Sequence, residues 1–404
     1  MSQFIDIDSF ISKHITKREE SYFKADIEKK FDRLSVQITG KSVLVIGGAG
    51  TIGSSFIKAI LPFKPASLVV VDYNENGLTE LTRDLRSTVG FDMPDSYITY
   101  PFDFGGTVFS RLYAKENFDI VACFAAHKHV RSEKDSLAIE SMVQNNVFNT
   151  KQLLDLCRAK PPAHFFSVST DKAANPVNVM GASKKMMEKV LLSYADELKI
   201  TTARFANVAF SNGSLLFGFI QRIMKRQPLT APSDVRRYFV SPEESGQLCM
   251  LACLLGESKD IFFPKLGEEQ MMTFSTIAEL FLTELGLSVD YCASEQEAKE
   301  KAARWSQGDT SYPVYFFRSD TSGEKMYEEF YTTDDTLDLE SFGALGVIKN
   351  AETPAMADVE NMLLKFKELF DQNGLEKTSV INLLSTYLSD FKHIETGKSL
   401  DSRM

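Results

Sequence analysis

The run Ser42-Val43-Leu44-Val45-Ile46-Gly47-Gly48-Ala49-Gly50-Thr51-Ile52-Gly53 constrains this chain more than any other stretch of similar length. Its first half is short, apolar and uninterrupted, which suits a strand covered on both faces in a parallel sheet. Glycines at Gly47, Gly50 and Gly53 then bracket a strand-to-helix turn completed by Thr51 and Ile52. Such a turn lets backbone N–H groups and a helix N-terminus approach a pyrophosphate with no Cβ in the way. Asp72 follows 19 residues after Gly53, at the end of a second apolar run, where a carboxylate can accept hydrogen bonds from an adenosine ribose. Its neighbours Tyr73, Asn74 and Glu75 fit a surface turn as well. No Arg or Lys occurs in the ten positions after Asp72, so nothing there would receive a 2′-phosphate, and NAD is expected over NADP.

Similar apolar runs recur at 67–72, 96–103, 119–126, 164–170 and 200–208, separated by stretches long enough for crossover helices, such as 137–159 and 180–197. This alternation predicts an α/β fold with a Rossmann-type doubly wound parallel sheet, binding ligands at the carboxyl ends of its strands. Asp103, ending the third run, fits either an adenine contact or the cap of a turn. Four regions are expected: a helical extension over 1–39, the NAD-binding domain over 40–210, a smaller substrate lobe over 211–350 that shares segments of the core sheet, and a helical extension over 351–404. The first rests on apolar spacings of three and four at Phe4, Ile7, Ile11 and Ile15, then at Phe23, Ile27, Phe31 and Leu34. In the lobe, helices are expected near 214–226, 242–256 and 273–285, with a polar, helix-prone stretch at 295–309.

Lys and Arg number 45 against 55 Asp and Glu, a net charge of −10, which offers no general attraction to nucleic acid or an anionic membrane. No apolar run approaches the ~20 residues of a spanning helix, and the start MSQFIDIDSF is acidic where a signal peptide is basic, so a cytoplasmic chain without a membrane span is expected. The five cysteines are odd in number and form no C-x-x-C pair, so neither a disulfide framework nor a zinc site is expected. His127 and His129 lack a third ligand nearby, and no metal is assigned to them.

Three residue groups fall at the carboxyl ends of successive expected strands. Ala125-Ala126-His127-Lys128-His129 closes one, Ser169-Thr170-Asp171-Lys172 the next, and Met180 with Lys184 follows further on. An adjacent Asp and Lys could exchange protons if burial shifted both, and a closed pocket is expected to push the aspartic acid up and the lysine down.

Taken together, GGAGTIG, FAAHKHV, NNVFNTKQLL, STDKAANPVNVMGASKK and RFANVAFSNGS resemble the extended short-chain dehydrogenase/reductases. Within that group the chain is most similar to the polysaccharide-biosynthesis 4,6-dehydratases of UDP-N-acetylglucosamine, over about residues 40–345. Ordinary members carry Tyr-x-x-x-Lys; here the string is Met180-Gly181-Ala182-Ser183-Lys184. A thioether has no proton to exchange, so Met180 is neither acid nor base, and simple alcohol oxidation becomes a poor reading. The resemblance implies that Met180 marks the configuration-retaining branch. It implies that Lys184 holds the nicotinamide ribose and that NAD takes hydride from C4, water leaves across C5 and C6, and the hydride returns to C6. Lys172 is then the base at C5, Asp171 the acid at C6, and Thr170 the partner of the C4 oxygen. Phe124, Ala125 and Ala126 would line the cofactor; His127, Lys128, Met180, Asn207, Ser211 and Arg237 would meet the substrate.

One departure concerns the family string Leu-Arg-Pro-Gly-Glu-Lys, replaced by Asp320-Thr321-Ser322-Gly323-Glu324-Lys325, so that Thr321 stands at the arginine position. The stretch 290–318 and both helical extensions have no counterpart in short soluble members. GDP-N-acetylglucosamine stays open as a substrate, as do a nucleotide-sugar 4-epimerase and a non-catalytic NAD-binding regulator. A homo-oligomer is expected.

Overall fold

A computed structural model describes residues 5–320 and 322–397, so Phe4 and Thr321 lie outside the described residues. The first six strands of the main sheet are parallel: β1 (Ser42–Ile46), β2 (Ser67–Val71), β3 (Ser96–Tyr100), β4 (Ile120–Cys123), β5 (His164–Val168) and β6 (Ile200–Ala203). Their order across the sheet is β3-β2-β1-β4-β5-β6, continued by a parallel strand Ile261–Pro264 and then by the antiparallel strands Leu345–Ile348 and Leu337–Asp338. The order reverses direction between β1 and β4, where ligands sit in doubly wound sheets.

Alternate residues of each strand feed opposite faces, as a period of two requires. Val43 and Val45 pack with Leu34, Ile38, Phe56 and the helix Pro242–Leu255. Leu44 and Ile46 pack with Met142, Leu153, Met186 and the terminal helices Met356–Phe370 and Lys377–Tyr387. The C-terminal extension is thereby part of the core. A third cluster belongs to the lobe, where Leu229–Pro232, Ser311–Phe317 and Ser288–Tyr291 form a parallel sheet against Phe219, Phe281, Phe10 and Ile11. The segment 290–318 thus supplies the lobe's central strand, and the N-terminal extension spans two clusters.

Two sequence expectations shift. Phe31 is 51% exposed, its ring 5.1 Å from Phe63, because the chain leaves helical geometry at Lys30 and the stripe resumes at Leu34 and Ile38. The run 200–208 divides: β6 ends at Ala203, and Asn207–Val208 pairs with Phe239–Val240 outside the main sheet. At the break, the buried Arg204 guanidinium meets Glu188 of the helix Val179–Ser193 through two contacts of 3.0 and 2.8 Å and donates to the Phe330 carbonyl at 3.0 Å. The Arg204 guanidinium and the Ser169 hydroxyl hold the Glu188 carboxyl below its usual range, although burial alone would raise it. A depressed acid stabilises the fold above its unfolded pKa of about 4.3 and loses that contribution as the pH falls through its folded value. Glu188→Gln is therefore expected to cost about 3–5 kcal/mol near neutrality, the scale of breaking a buried pair, with the gap to wild type narrowing below about pH 4. Urea unfolding at the two pH values checks this; a gap that stays constant counts against the ion pair as its source.

Candidate active site

At the end of β1, Gly47 takes φ +77°, and a Cβ there would lie 2.5 Å from the Ala125 nitrogen. Only glycine lets the turn run this close to the chain leaving β4. The helix Thr51–Ile60 starts at Gly50 without a side-chain cap, so its first N–H groups stay available. Gly47, Gly50, Thr51, Ile52 and Gly53 line a cleft of about 390 Å³, together with Asp72, Asp103, Phe124, Ala125, Ala126, His127 and Lys128. Asp72 braces the turn by accepting from the Ala49 nitrogen at 3.0 Å and the Asn74 nitrogen at 2.9 Å. It does so while remaining on the cleft wall; burial raises its carboxyl and those N–H groups oppose the rise. Asp103 is exposed and accepts from the Gly105 nitrogen at 2.9 Å, so it also shapes a turn at the rim. Across the cleft, the Asn212 nitrogen donates to Thr51 Oγ1 at 2.9 Å, and Lys128 Nζ donates to the Asn212 carbonyl at 3.1 Å. Ser211 is buried behind this turn, its nitrogen donating to the Val208 carbonyl. Asn207 lies in the short pair with Phe239. A bare helix start, a close-packed glycine turn and an acid at the second strand end form a cradle that fits NAD.

One strand over from β4, at the end of β5, stand Thr170, Asp171 and Lys172. Asp171 Oδ1 accepts from Thr170 Oγ1 at 2.8 Å, the Lys172 nitrogen at 2.9 Å and Lys172 Nζ at 3.1 Å. Asp171 is 3% exposed and the Lys172 side chain 16%, so the pair does not face bulk water. Lys172 Nζ also lies 3.6 Å from Glu328 Oε1, and Arg237 Nη2 lies 3.7 Å from the same oxygen. The expectation that burial lowers Lys172 is corrected here. Burial does act downward, but the Asp171 and Glu328 carboxylates outweigh it and hold the resting ammonium above its ordinary value. Arg237 is itself 5% exposed and is not among the residues lining the cleft, and its Nη1 donates to the Arg236, Lys325 and Met326 carbonyls at 2.9, 3.0 and 3.3 Å.

The helix Val179–Ser193 carries Met180 and Lys184. Met180 is buried in the apolar cluster beneath β4 and β5, outside the cleft lining. Lys184 Nζ donates to the Val168 carbonyl at 2.7 Å, and burial pushes its ammonium down to about 8. Gly181 packs this helix against the Lys172 carbonyl, 2.5 Å from where a Cβ would stand. Asn146 sits in a widened helical turn, Gln144–Phe148, and ties three elements together. Its Oδ1 accepts from the His127 nitrogen at 2.8 Å, and its Nδ2 donates to the His127 carbonyl and to Ser183 Oγ, each at 3.0 Å. The C-terminal segment borders the same region. Lys392 and Ile394 donate to the Pro176 and Val177 carbonyls at 3.1 and 3.0 Å, and Gly323 donates to the Ile394 carbonyl at 2.9 Å. Sequence reasoning missed Glu328 and this tail. The signal for Glu328 was present in Gly323-Glu324-Lys325-Met326-Tyr327-Glu328, two acids among aromatic and apolar neighbours.

Fold and site together define a doubly wound, Rossmann-like α/β protein with a buried acid–lysine pair one strand from its glycine-turn cleft. The model of the polysaccharide biosynthesis protein family matches residues 43–350, and the chain belongs to that family. It is 30% identical to an uncharacterized membrane protein of Methanocaldococcus jannaschii over 79% of this chain and 88% of that one. It is 25% identical to a Campylobacter jejuni UDP-N-acetylglucosamine 4,6-dehydratase (inverting), over 56% of this chain and 67% of the relative. The chain spans about two fifths of the length of EpsC of Bacillus subtilis and CapD of Staphylococcus aureus, matched at 29% and 28% identity. The fold is shared with Pen from Bacillus thuringiensis (TM-score 0.63, 22% identity, 82% of this chain and 98% of that one). It is shared too with DesIV, a dTDP-glucose 4,6-dehydratase from Streptomyces venezuelae (TM-score 0.54, 18% identity, 81% and 97%). Among the described residues, no helix is long and apolar enough to cross a membrane.

Proposed function

We propose that this chain is an NAD-dependent nucleotide-sugar 4,6-dehydratase that acts on UDP-N-acetylglucosamine and retains configuration at C5. The observation that carries the reading is the buried Asp171–Lys172 contact of 3.1 Å, one strand from the dinucleotide cleft, on a helix-and-loop frame where methionine replaces the phenol of ordinary oxidoreductases. NAD, held by the glycine turn and Asp72, supplies the hydride acceptor for C4 and the donor for C6.

The chain's own groups do the proton work. A ketone at C4 acidifies the C5 hydrogen, because the resulting carbanion delocalises into the carbonyl. Elimination then needs a base at C5 and an acid at the C6 hydroxyl. One proton shared along the Asp171–Lys172 hydrogen bond supplies both: when it moves across from the ammonium to Asp171, it leaves Lys172 a free amine. As C4 is oxidised its hydroxyl proton leaves to a water beside Thr170. Lys172 then takes the C5 proton, Asp171 gives its proton to the C6 hydroxyl, which departs as water, and Lys172 returns its proton to C5 once C6 is reduced. Thr170, whose hydroxyl turns about its Cα–Cβ bond, donates to the C4 oxygen. Asn207 attends the diphosphate, and Lys184 the nicotinamide ribose.

Incubation with UDP-N-acetylglucosamine in heavy water, followed by NMR, is the test. The expected product is a UDP-4-keto-6-deoxy-N-acetylhexosamine with deuterium at C5 and unchanged C5 configuration. A C4 epimer formed without loss of water would make the chain an epimerase. No keto product from the UDP or GDP sugar would defeat the proposal.

A further inference from the structure

Glu328 is 3% exposed and lies over 150 residues along the chain from Lys172. One of its oxygens, Oε1, is within 3.6 Å of Lys172 Nζ and 3.7 Å of Arg237 Nη2. The other, Oε2, is buried with no hydrogen-bond partner among the described residues. A buried carboxylate oxygen without a partner is costly, and a fold seldom keeps one that does nothing. The charged groups facing Lys172 are Asp171 from its own loop, Glu328 from the segment after Gly323, and Arg237 from its two-residue strand. Burial, with Asp171, raises the Glu328 carboxyl, and Lys172, Arg237 and Lys325 favour its charged form. Arg237 Nη2 also lies 3.5 Å from Glu324 Oε1, and its Nη1 donates to three backbone carbonyls, so its head group has anchors besides Glu328.

We propose that Glu328 is a positioning residue of this site, which holds Lys172 in place and sets the pH at which Lys172 gives up its proton. The inference rests on the dehydratase reading, in which Lys172 must become an amine. Its physical content is a sign. An anion beside an ammonium favours the charged form, so removing the Glu328 charge makes Lys172 a base at lower pH. Asp171 then remains as the one carboxylate facing Lys172 among the described residues. Glu328 therefore restrains the base, and its loss widens the pH range of turnover on the acid side even where the maximal rate falls.

The experiment compares wild type, Glu328→Gln and Glu328→Asp. The alkaline-rising limb of kcat/KM is expected to move to lower pH in Glu328→Gln. It moves less, in the same direction, in Glu328→Asp, whose charge is withdrawn by one methylene. A limb that stays with wild type while the plateau drops would mean a merely structural role and overturn the proposal, as would a limb displaced upward. Should Glu328→Gln not fold, Glu328→Asp decides alone by the same criterion. The pH dependence of Lys172 acetylation by acetic anhydride, read by peptide mass spectrometry on the same proteins, reports the lysine without turnover. If wild type turns over no nucleotide sugar, the functional reading fails and the labelling still decides: a reactive amine appearing at lower pH in the variants supports Glu328, and coincident profiles refute it.

Discussion

Lys172→Met is expected to lower kcat on the nucleotide sugar by ~10²–10⁴-fold, the range that removal of a positioned acid or base produces. Methionine keeps most of the length and apolar stem of the side chain and removes the ammonium. What disappears is the group 3.1 Å from Asp171 and 3.6 Å from Glu328. The loss has two parts. Without an amine, nothing on this loop takes the C5 proton. Without the cation, two carboxylates, each 3% exposed, face one another with Arg237 as the remaining counter-charge, and stability falls as well. NAD titration separates the parts, because the glycine turn, Asp72 and the cleft wall contain no atom of Lys172. Affinity for NAD is expected to stay near that of wild type while turnover collapses. Turnover within threefold of wild type would remove Lys172 from the chemistry.

Gly47→Ala should be the most damaging single methyl in the cofactor turn. Two costs coincide there. A left-handed φ of +77° costs a non-glycine residue about 1–2 kcal/mol. The new Cβ would also stand 2.5 Å from the Ala125 nitrogen and 2.7 Å from the Phe124 carbonyl carbon, backbone atoms that cannot swing aside. β1 and β4 are locked in register, Ile46 opposite Cys123, and the Phe124 nitrogen donates to the Ile46 carbonyl at 2.7 Å. Relief therefore means breaking the sheet ladder or unwinding the turn. We expect a loss of about 3 kcal/mol or more in urea unfolding, together with the disappearance of NAD binding. Gly40→Ala is the matched control: its φ is +71°, but nothing lies within 4 Å of the added carbon. It should show the conformational cost alone. Equal destabilisation of the two variants would mean that the close approach of turn and strand contributes nothing.

Much of this architecture was legible in linear order. The strand at 42–46 and the crossover helix beginning beside Met180 announce themselves through apolar period and turn chemistry, both set by residues a few positions apart. The glycine turn was readable for the same reason. Asp72 was readable only in part: its position at a strand end is local, while its two bonds to backbone nitrogens, one of them 23 residues back, depend on how that turn folds over it. The break in the run 200–208 escaped because Arg204 answers to Glu188 and Phe330, neither of them a sequence neighbour. Phe31 escaped because a single residue, Lys30, leaves helical geometry and resets the stripe.

The sequence by itself determined the fold class, the cofactor turn and the absence of a phenol at position 180, since each follows from the chemistry of neighbouring side chains and their spacing. Only the tertiary structure decided the electrostatics of the proposed reaction centre. Glu328 and Arg237 reach the Asp171–Lys172 pair from two distant segments, and the carboxylates of Asp171 and Glu328 reverse the shift that burial alone would impose on Lys172. Coulomb energies depend on distance through space and on what water is excluded, and neither quantity exists until the chain has folded.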